Sequence, residues 1–374
     1  METITLLCTD GSDVAIEALR DSFGYWVREV GVDGFRIDTV KHVEHDFWAE
    51  FNNAIRDYAV NVLGKDNFFI FGEAFSGVDW LLASYTGGNM FDGVFYFSQK
   101  FRVFDNVFKY GEPTNNVESL LNDRLNGESG HAPYASTGND HGPRDDSGNL
   151  IPPRSMLVNF MDNHDVSRFL FDKPSVPALH SALTYILTWD GIPCIYYGTE
   201  QRFAGGNDPM NREDMWLDAN MPTTEDGQRY APYNTTNSTF KTIQTLITLR
   251  KTYVALRRGD VAMRWVSSAR SDDSGTDGSG NPLNPDRGIL AFERIYQGEN
   301  VLVVINTSDN YTAYTHSYDG STMPTSFSSG TTLTNVFCGD HVCAGGEGAS
   351  YTAGANGTID VTLAPREAVI LVAQ

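Results

Sequence analysis

Helical and strand-like patterns of apolar residues alternate along the first two thirds of the chain. From Ser12 to Val30 apolar residues recur every three or four positions, which predicts an amphipathic helix with Ser12 as its N-cap and Gly31 as its C-cap. A second helical pattern covers residues 46–64. Short apolar segments of the kind that form buried strands follow these helices: VDGFRID, FFIFGE, GVFYF, SMLVNFMD and GIPCIYY. The alternation predicts a parallel α/β architecture with these five segments as strands.

The pattern changes near Arg258, after a last predicted helix at 238–256. Beyond it, short apolar runs are separated by turn residues, which is typical of an all-β domain: GILAFERI, NVLVVIN, TIDVTL and AVILVA. We therefore expect two domains, an α/β domain at 1–257 and an all-β domain at 258–374. The polar stretch 126–153, rich in Gly, Pro, Asp and Ser, is expected to form a long loop.

Composition restricts the possible partners of the chain. Of its 374 residues, 48 are acidic and 27 basic, which gives a net charge of −21. Nucleic acid or an anionic membrane surface would require a basic patch, so both are excluded as partners, and a neutral substrate is more compatible. No run of about 18 apolar residues is present, so no transmembrane helix is expected. The first residues, METITLLCTDGSD, do not form a signal peptide as they stand.

The four cysteines leave two possibilities open. Cys338 and Cys343 lie in the loop-like segment CGDHVC and could form a disulfide or remain reduced. A metal site there would need more ligands than the one nearby histidine, His341.

The first candidate for chemistry is Asp38, in the segment GFRIDTVKHV. Strand alternation places Arg36 and Asp38 on one side and Phe35 and Ile37 on the other. Active sites of parallel α/β folds lie at the carboxyl ends of strands, where Asp38 falls. The Arg36 guanidinium would favour the ionised carboxylate and orient it, as a nucleophile requires. A purely structural ion pair is the alternative.

Glu73 occupies the corresponding position after the next strand, in FFIFGEAF. Phe69 and Phe71 share its face, so poor solvation should raise its pKa and let it donate a proton near neutral pH. A helix-cap partner or a barrel salt bridge is the alternative for Glu73 alone. Two strand-end carboxylates on consecutive parallel strands favour glycosidic cleavage with retention, for which the two carboxyl groups are about 5–5.5 Å apart.

A third polar cluster, FMDNHDVSRF, contains Asp162, Asn163, His164 and Asp165. Such side chains can also bind metal, so a hydrolytic metal site is a second hypothesis. Its candidate ligands are His42, His45, Asp162, His164 and Asp165. The HEXXH spacing is absent, and His45 is expected on a helix rather than at a strand end.

The segments GFRIDTVKHV, FGEAF and FMDNHD resemble three sequence regions that define the α-amylase family of glycoside hydrolases. The segments GIPCIYYGTE and GGNDPMNREDMW resemble the last barrel strand of that family and the loop after it. The resemblance runs from about residue 12 to the end of the chain.

The resemblance implies a role for each matching residue. Asp38 is similar to the nucleophile, Glu73 to the general acid/base and Asp165 to the third carboxylate, which contacts sugar hydroxyls. Residues similar to substrate contacts are Arg36, which orients Asp38, His164, which donates to a sugar hydroxyl, Lys41 and His42 on the leaving-group side, and Asp208 and Arg212 at more distant glucose units. The calcium ion of the family usually binds the backbone carbonyl of the residue that matches His42, which is one ligand only.

The resemblance also implies an incomplete (β/α)8 TIM barrel at 1–257, followed by an all-β C-terminal sandwich at 258–374. The five predicted strands match the fourth to the eighth of the family, so its first three strands and its inserted domain are expected to be missing. The implied function is hydrolysis of internal α-1,4 bonds in starch-like glucans, with transglycosylation as a variant. The alternative is a non-catalytic remnant that binds glucan or a partner completing the barrel. An extracellular or periplasmic monomer is expected.

Overall fold

The computed structural model describes residues 13–215, 233–338 and 348–374, with the side chains of 13–15 and of Cys338 left out. The chain forms two compact units. The first comprises the described residues up to Gln99 together with Leu120–Asn159, and the second comprises Lys100–Ser119 and the described residues from Phe160 onward. The domain boundary expected at 257/258 follows the change in sequence pattern rather than these units, and it stays a prediction.

A parallel sheet forms the centre of the first unit. Its strands lie in the order β1 (Gly34–Ile37), β2 (Phe69–Gly72) and β3 (Gly93–Val94). Ile37 pairs with Gly72, and the Glu73 N–H donates to the Ile37 carbonyl at 2.8 Å. Because the two strands end in register, the residue that follows each of them lies at the same edge of the sheet.

The helices of the first unit cover the apolar face of β1. The predicted first helix spans Asp13–Val30 and ends at Gly31, whose φ of 80° is the left-handed conformation that favours glycine. Its expected N-cap, Ser12, lies outside the described residues. Phe23 of this helix contacts Phe35 of β1 with ring centroids 5.3 Å apart, so the side of β1 opposite Arg36 packs as the alternation predicts.

The remaining helical segments of this unit are short. The second predicted helix is α-helical over His45–Asp57 and continues as a π-helical turn over Tyr58–Val62. Other helical segments that begin in this unit or end in it are Asp79–Ser84, Phe97–Gln99, Asn115–Asn126 and the 3₁₀ turn Pro153–Ser155. The segment between Asn126 and Pro153 contains no helix and no strand longer than one bridge, which confirms the predicted long loop.

The second unit begins with helical elements. They are the π-helical Lys100–Lys109, Val176–Thr188, the 3₁₀ turn Thr199–Gln201, Ser238–Thr252 and Ala255–Arg258. The helix expected at 238–256 is confirmed over Ser238–Thr252 but ends there, because Tyr253 is extended, and the short helix Ala255–Arg258 follows separately. The Arg250 side chain lies beside this break: its Nη1 donates to the Leu256 carbonyl in the following short helix and to the Leu187 and Trp189 carbonyls at the end of Val176–Thr188, at 2.6–3.1 Å. The fourth predicted strand is present as β4 (Val158–Phe160), which begins in the first unit and ends in the second, and the fifth is present as β5 (Ile192–Cys194).

The C-terminal part is all-β, as predicted. Its strands are β6 Asp260–Val266, β7 Ile289–Tyr296, β8 Glu299–Asn306, β9 Ala313–Tyr314, β10 Met323–Pro324, β11 Thr332–Cys338, β12 Ser350–Thr352, β13 Thr358–Ile359, β14 Thr362–Leu363 and β15 Ala368–Ala373. A six-stranded antiparallel sheet has the order β12-β11-β15-β8-β7-β6, and two small sheets pair β9 with β14 and β10 with β13. One buried cluster joins Leu302 and Leu371 of the large sheet to Met323 and Leu363 of the small ones, so the strands form packed layers.

Among the described residues, no helix has both the length and the apolar character needed to cross a bilayer.

Candidate active site

The first group of candidate residues lies at the carboxyl ends of β1 and β2. Arg36 Nη1 is 3.2 Å from Asp38 Oδ1, and Arg36 Nη2 is 3.5 Å from Glu73 Oε2. The side chain of Asp38 is 64% exposed, whereas that of Glu73 is 5% exposed. One guanidinium therefore faces two carboxylates of different solvation, and the structure brings together the residues that the strand alternation selected.

The pKa of Glu73 is raised from its ordinary value. Burial is the largest cause, and a hydrogen bond with the Asp38 carboxyl group adds to it. The Thr39 N–H, which donates to Glu73 Oε2 at 3.2 Å, and the Arg36 charge lower the pKa without reversing the rise. Thr39 has a φ of 51°, in the left-handed region, so the turn after β1 is strained where it supplies this N–H. The expected direction for Glu73 is confirmed.

Aromatic rings line the same face of the sheet as Glu73. Phe69 and Phe71 stack with ring centroids 5.2 Å apart, and Phe71 contacts Phe95, directly after β3, at 5.2 Å. The Arg36 guanidinium lies 5.8 Å from the Phe95 ring centre. These rings lie on the side of the sheet that the strand alternation assigns to Glu73, whose own side chain is buried.

Lys41 and His42 lie in the 3₁₀ turn Val40–His42, directly after the strained Thr39. Lys41 Nζ donates to the Phe75 carbonyl at 2.7 Å and lies 5.9 Å from the centre of the same ring. Phe75 is 39% exposed and follows Glu73 by two residues. A cation and an aromatic surface thus lie next to the segment after β2 that carries the buried Glu73 carboxyl group.

The second group of candidates belongs to the second unit, where the structure brings His164, Asp165, Asp208 and Arg212 together. Arg212 Nη2 is 3.0 Å from Asp208 Oδ1 and 3.5 Å from Asp165 Oδ1. Its Nε donates to the His164 carbonyl at 3.1 Å, and His164 Nε2 is 3.0 Å from Asp165 Oδ2. Asn163 Oδ1 accepts the Asp165 N–H at 2.8 Å and holds the turn. Asp165 is therefore oriented by a cation, a histidine and its own turn.

Comparison with known proteins identifies the family. The catalytic-domain model of α-amylase matches residues 7–259, and the C-terminal-domain model of maltogenic amylase matches residues 282–344. The chain belongs to the α-amylase family. The five strands described between Gly34 and Cys194 and the β layers after them are the α/β and all-β parts of that architecture.

Individual relatives are similar over most of this chain. The β/α-amylase of Paenibacillus polymyxa is 30% identical over 358 residues, which are 93% of this chain and 22% of that protein. A cyclomaltodextrin glucanotransferase of Bacillus sp. (strain 38-2) is 31% identical over 256 residues, 67% of this chain and 29% of that protein. The chain thus spans less than a third of the length of these two curated relatives. The crystal structure of the Geobacillus thermoleovorans α-amylase complexed with acarbose superposes on this chain with a TM-score of 0.67 at 21% identity. The superposition covers 96% of this chain and 64% of that chain, so the two share a fold.

One residue of this α-amylase family chain was missed by the sequence argument. Arg168 is fully buried; its Nε is 3.0 Å from Glu213 Oε2, and its guanidinium lies 4.0 Å from the Tyr196 ring centre. Glu213 Oε1 accepts the N–H groups of Ala204 and Gly205 at 2.9 and 2.8 Å. Arg168 therefore fixes both ends of the loop that carries Asp208 and Arg212. Its only sequence signal is a charged residue in the otherwise apolar stretch that follows Asp165.

The metal-hydrolase alternative finds no support in the part of the chain that the structure describes. There, no group of three or more His, Cys, Asp or Glu side chains is placed to hold a metal ion. Asp162 is buried, accepts the Phe169 N–H at 2.9 Å, and has a raised pKa because of burial. His45 bonds to Ser84 Oγ at 3.0 Å and stacks on Tyr85, so its side chain packs against the end of the helix Asp79–Ser84.

The α-amylase family implies a calcium ion, but the described residues do not provide a complete site for it. Calcium takes about six to eight oxygen ligands. The described residues provide the His42 carbonyl without a surrounding cluster of carboxylates. They therefore do not make a complete site, and no step of the chemistry is assigned to calcium.

Of the two cysteines that could form a disulfide, Cys343 and the side chain of Cys338 lie outside the described residues. Cys194 is a free, half-buried thiol.

Proposed function

We propose that this α-amylase family chain acts as a retaining glycoside hydrolase on internal α-1,4-glucosidic bonds of starch-like glucans. The observation that carries the proposal is the pair Asp38 and Glu73 at the adjoining ends of β1 and β2. One carboxylate is exposed and held by Arg36, and the other is buried with a raised pKa. A retaining mechanism requires this division between an ionised nucleophile and a protonated acid.

In the first step, Glu73 donates its proton to the glycosidic oxygen while Asp38 attacks the anomeric carbon. The leaving chain departs with the proton, and a covalent glycosyl-Asp38 ester forms. In the second step, the ionised Glu73 takes a proton from water, whose oxygen attacks the same carbon and releases Asp38. Transfer to a sugar hydroxyl instead of water gives transglycosylation by the same residues. Arg36 keeps Asp38 oriented in both steps.

Motif resemblance supplies the remaining roles in this proposal. Asp165 contacts sugar hydroxyls and strengthens that contact as the ring flattens in the transition state, and His164 donates to a hydroxyl beside it. Lys41 and His42 contact the glucose units on the leaving-group side. Asp208 and Arg212 contact more distant units.

The acidic balance of the chain agrees with a neutral polysaccharide, which needs no basic surface. Export from the cell and a monomeric state are proposed on the family resemblance.

The test measures release of reducing ends from soluble starch. Asp38→Asn and Glu73→Gln should each lower kcat by about a thousandfold or more, since each removes a group that acts in the transition state. Asp33→Asn, an exposed carboxylate paired with Lys65, is the matched control and should retain full activity. Proton NMR of the first products should show the α-anomer. Activity unchanged in both site variants, or a β-anomer, would overturn the proposal. Binding of glucan without turnover by the unaltered chain would instead support the remnant hypothesis.

A further inference from the structure

A cavity that is partly open to solvent lies among the loops of the C-terminal β part. Its volume is about 450 Å³, which falls in the range of small-ligand sites, roughly 300–1,000 Å³. Its walls are the loop 276–282, the hairpin 316–322 and the end of β9. None of its lining residues belongs to the two groups of candidate active-site residues.

Aromatic rings form one wall of this cavity. Tyr314 is half-buried and stacks on His316 with ring centroids 5.0 Å apart and an interplanar angle of 29°. Tyr318, at the tip of the hairpin, is 58% exposed. Aromatic faces carry negative charge density and attract the C–H groups on the apolar face of a pyranose ring. Two tyrosine rings at one opening can therefore bind a sugar ring by stacking, without an ion pair.

The opposite wall supplies polar groups in fixed positions. Asp277 Oδ1 accepts the N–H groups of Ser279 and Asn281, each at 2.8 Å. Asp277 Oδ2 accepts the Tyr318 hydroxyl at 3.2 Å, which joins the two loops. Hydrogen bonds from Asn281 are the largest cause of a lowered pKa at Asp277, so this carboxylate stays ionised and accepts hydrogen bonds. The site is organised before a ligand arrives, which reduces the entropy lost on binding.

The charges around the cavity disfavour an anionic ligand. Among the described residues that line it there is no lysine or arginine. The one histidine, His316, has its Nδ1 within 3.0 Å of both carboxylate oxygens of Asp360. A neutral ligand with many hydroxyl groups is compatible with the tyrosine faces and with this single carboxylate, which its own loop and Tyr318 already hold.

We propose that this cavity is a non-catalytic carbohydrate site that binds a short stretch of α-linked glucan chain. The lining of the cavity indicates that the ligand is a saccharide, whereas the choice of an α-glucan rests on the proposed function. Binding here would hold the enzyme on a polymer while the carboxylate pair acts elsewhere on it, and each additional attachment raises the effective concentration of substrate.

The test measures adsorption to starch granules in a Glu73→Gln background, so that the polymer is not degraded. Tyr318→Ala and Tyr314→Ala should each weaken adsorption by about tenfold, since each removes one stacking surface. Tyr318→Phe keeps the ring, loses the bond to Asp277 and should retain most of the affinity. The matched control is Tyr110→Ala, another surface tyrosine whose hydroxyl donates to a carboxylate, that of Asp172 at 2.7 Å. It should adsorb like the parent.

Competition with soluble sugars identifies the ligand. Maltoheptaose should release the granule-bound parent, and cellohexaose should not. Tyr318→Ala that adsorbs like Tyr110→Ala would overturn the cavity as a site. Release by cellohexaose alone would overturn the α-glucan assignment. If the unaltered chain releases no reducing ends and Tyr318→Ala still weakens adsorption, the proposed catalysis fails while the binding site stands.

Discussion

Arg36 Nη2 lies 3.5 Å from Glu73 Oε2, and the pKa of Glu73 is nevertheless raised. A nearby guanidinium normally lowers the pKa of a carboxyl group. Here burial, which is the largest influence, outweighs it, because the Glu73 side chain is only 5% exposed. The same guanidinium also faces the exposed Asp38 at 3.2 Å. One cation thus faces two carboxylates of different solvation.

The first prediction concerns the pH dependence of the proposed catalysis. Arg36→Met removes a charge that lowers the pKa of Glu73, so that pKa rises further. Because Glu73 must be protonated to act as the acid, the alkaline limb of kcat/KM should move to higher pH. The overall rate should fall by about tenfold or more, because Asp38 loses its orienting partner.

The control is Lys65→Met, which removes one positive charge from the same unit at an exposed pair with Asp33. It should leave the pH profile in place. An alkaline limb that stays fixed or moves to lower pH in Arg36→Met would contradict the electrostatic account, whatever happens to the overall rate.

The second prediction concerns stability. A carboxyl group whose pKa is raised by folding favours its protonated form in the folded state. Its stabilising contribution is complete below the ordinary pKa of 4.5 and is lost as pH rises through the raised value. Glu73→Gln replaces the buried charge with a neutral group, so it should raise Tm near pH 7 by roughly 2–4 °C. Near pH 4 the two proteins should have nearly equal Tm values. A Glu73→Gln protein that is less stable than the parent at pH 7 would contradict the raised pKa.

Much of the Glu73 environment could be predicted from sequence because it depends on neighbours along two strands. Period-two alternation placed Phe69 and Phe71 on its face, and strand ends in a parallel sheet coincide whenever register aligns them. The strained turn at Thr39 could not be predicted, because nothing in TVKH requires a left-handed residue.

Other features depend on contacts that are distant in sequence. Arg250, beside the break in the last helix of the α/β part, donates to the carbonyls of Leu187 and Trp189, which lie more than 60 residues earlier. The strand Asp260–Val266 was missed because its charged Arg264 interrupts the apolar pattern, and its partner is the buried Glu293 on β7. Local periodicity contains no information about such pairs.

The third prediction tests the register that aligns Asp38 with Glu73. A Cβ atom at Gly34 would lie 2.3 Å from the Phe69 carbonyl oxygen, which is too close for any real contact. Gly34→Ala should therefore push β1 away from β2, lower Tm and reduce starch hydrolysis together. Gly278→Ala, where no atom lies within 4 Å of the added Cβ, is the matched control. Wild-type Tm and activity in Gly34→Ala would show that the register is not tightly constrained.

The fourth prediction concerns Arg168 as a positioning residue. Its guanidinium is buried among the rings of Tyr196 and Tyr197 and pairs with Glu213, which in turn holds the N–H groups of Ala204 and Gly205. Removing one partner of a buried pair leaves the other uncompensated and costs about 3–5 kcal/mol. Arg168→Met should lower the free energy of unfolding by that order, as measured in urea.

The activity of this variant should separate positioning from general instability. Because Arg168 fixes the loop that carries Asp208 and Arg212, Arg168→Met assayed well below its Tm should raise KM for soluble starch more than it lowers kcat. Glu213→Gln retains the acceptor for the two loop N–H groups and should show a smaller rise in KM. Lys173→Met, which breaks a more exposed pair with Asp309, should change the free energy of unfolding by less than about 1 kcal/mol and leave KM unchanged. If Arg168→Met lowers kcat but leaves KM unchanged, Arg168 contributes to folding alone and does not position the loop.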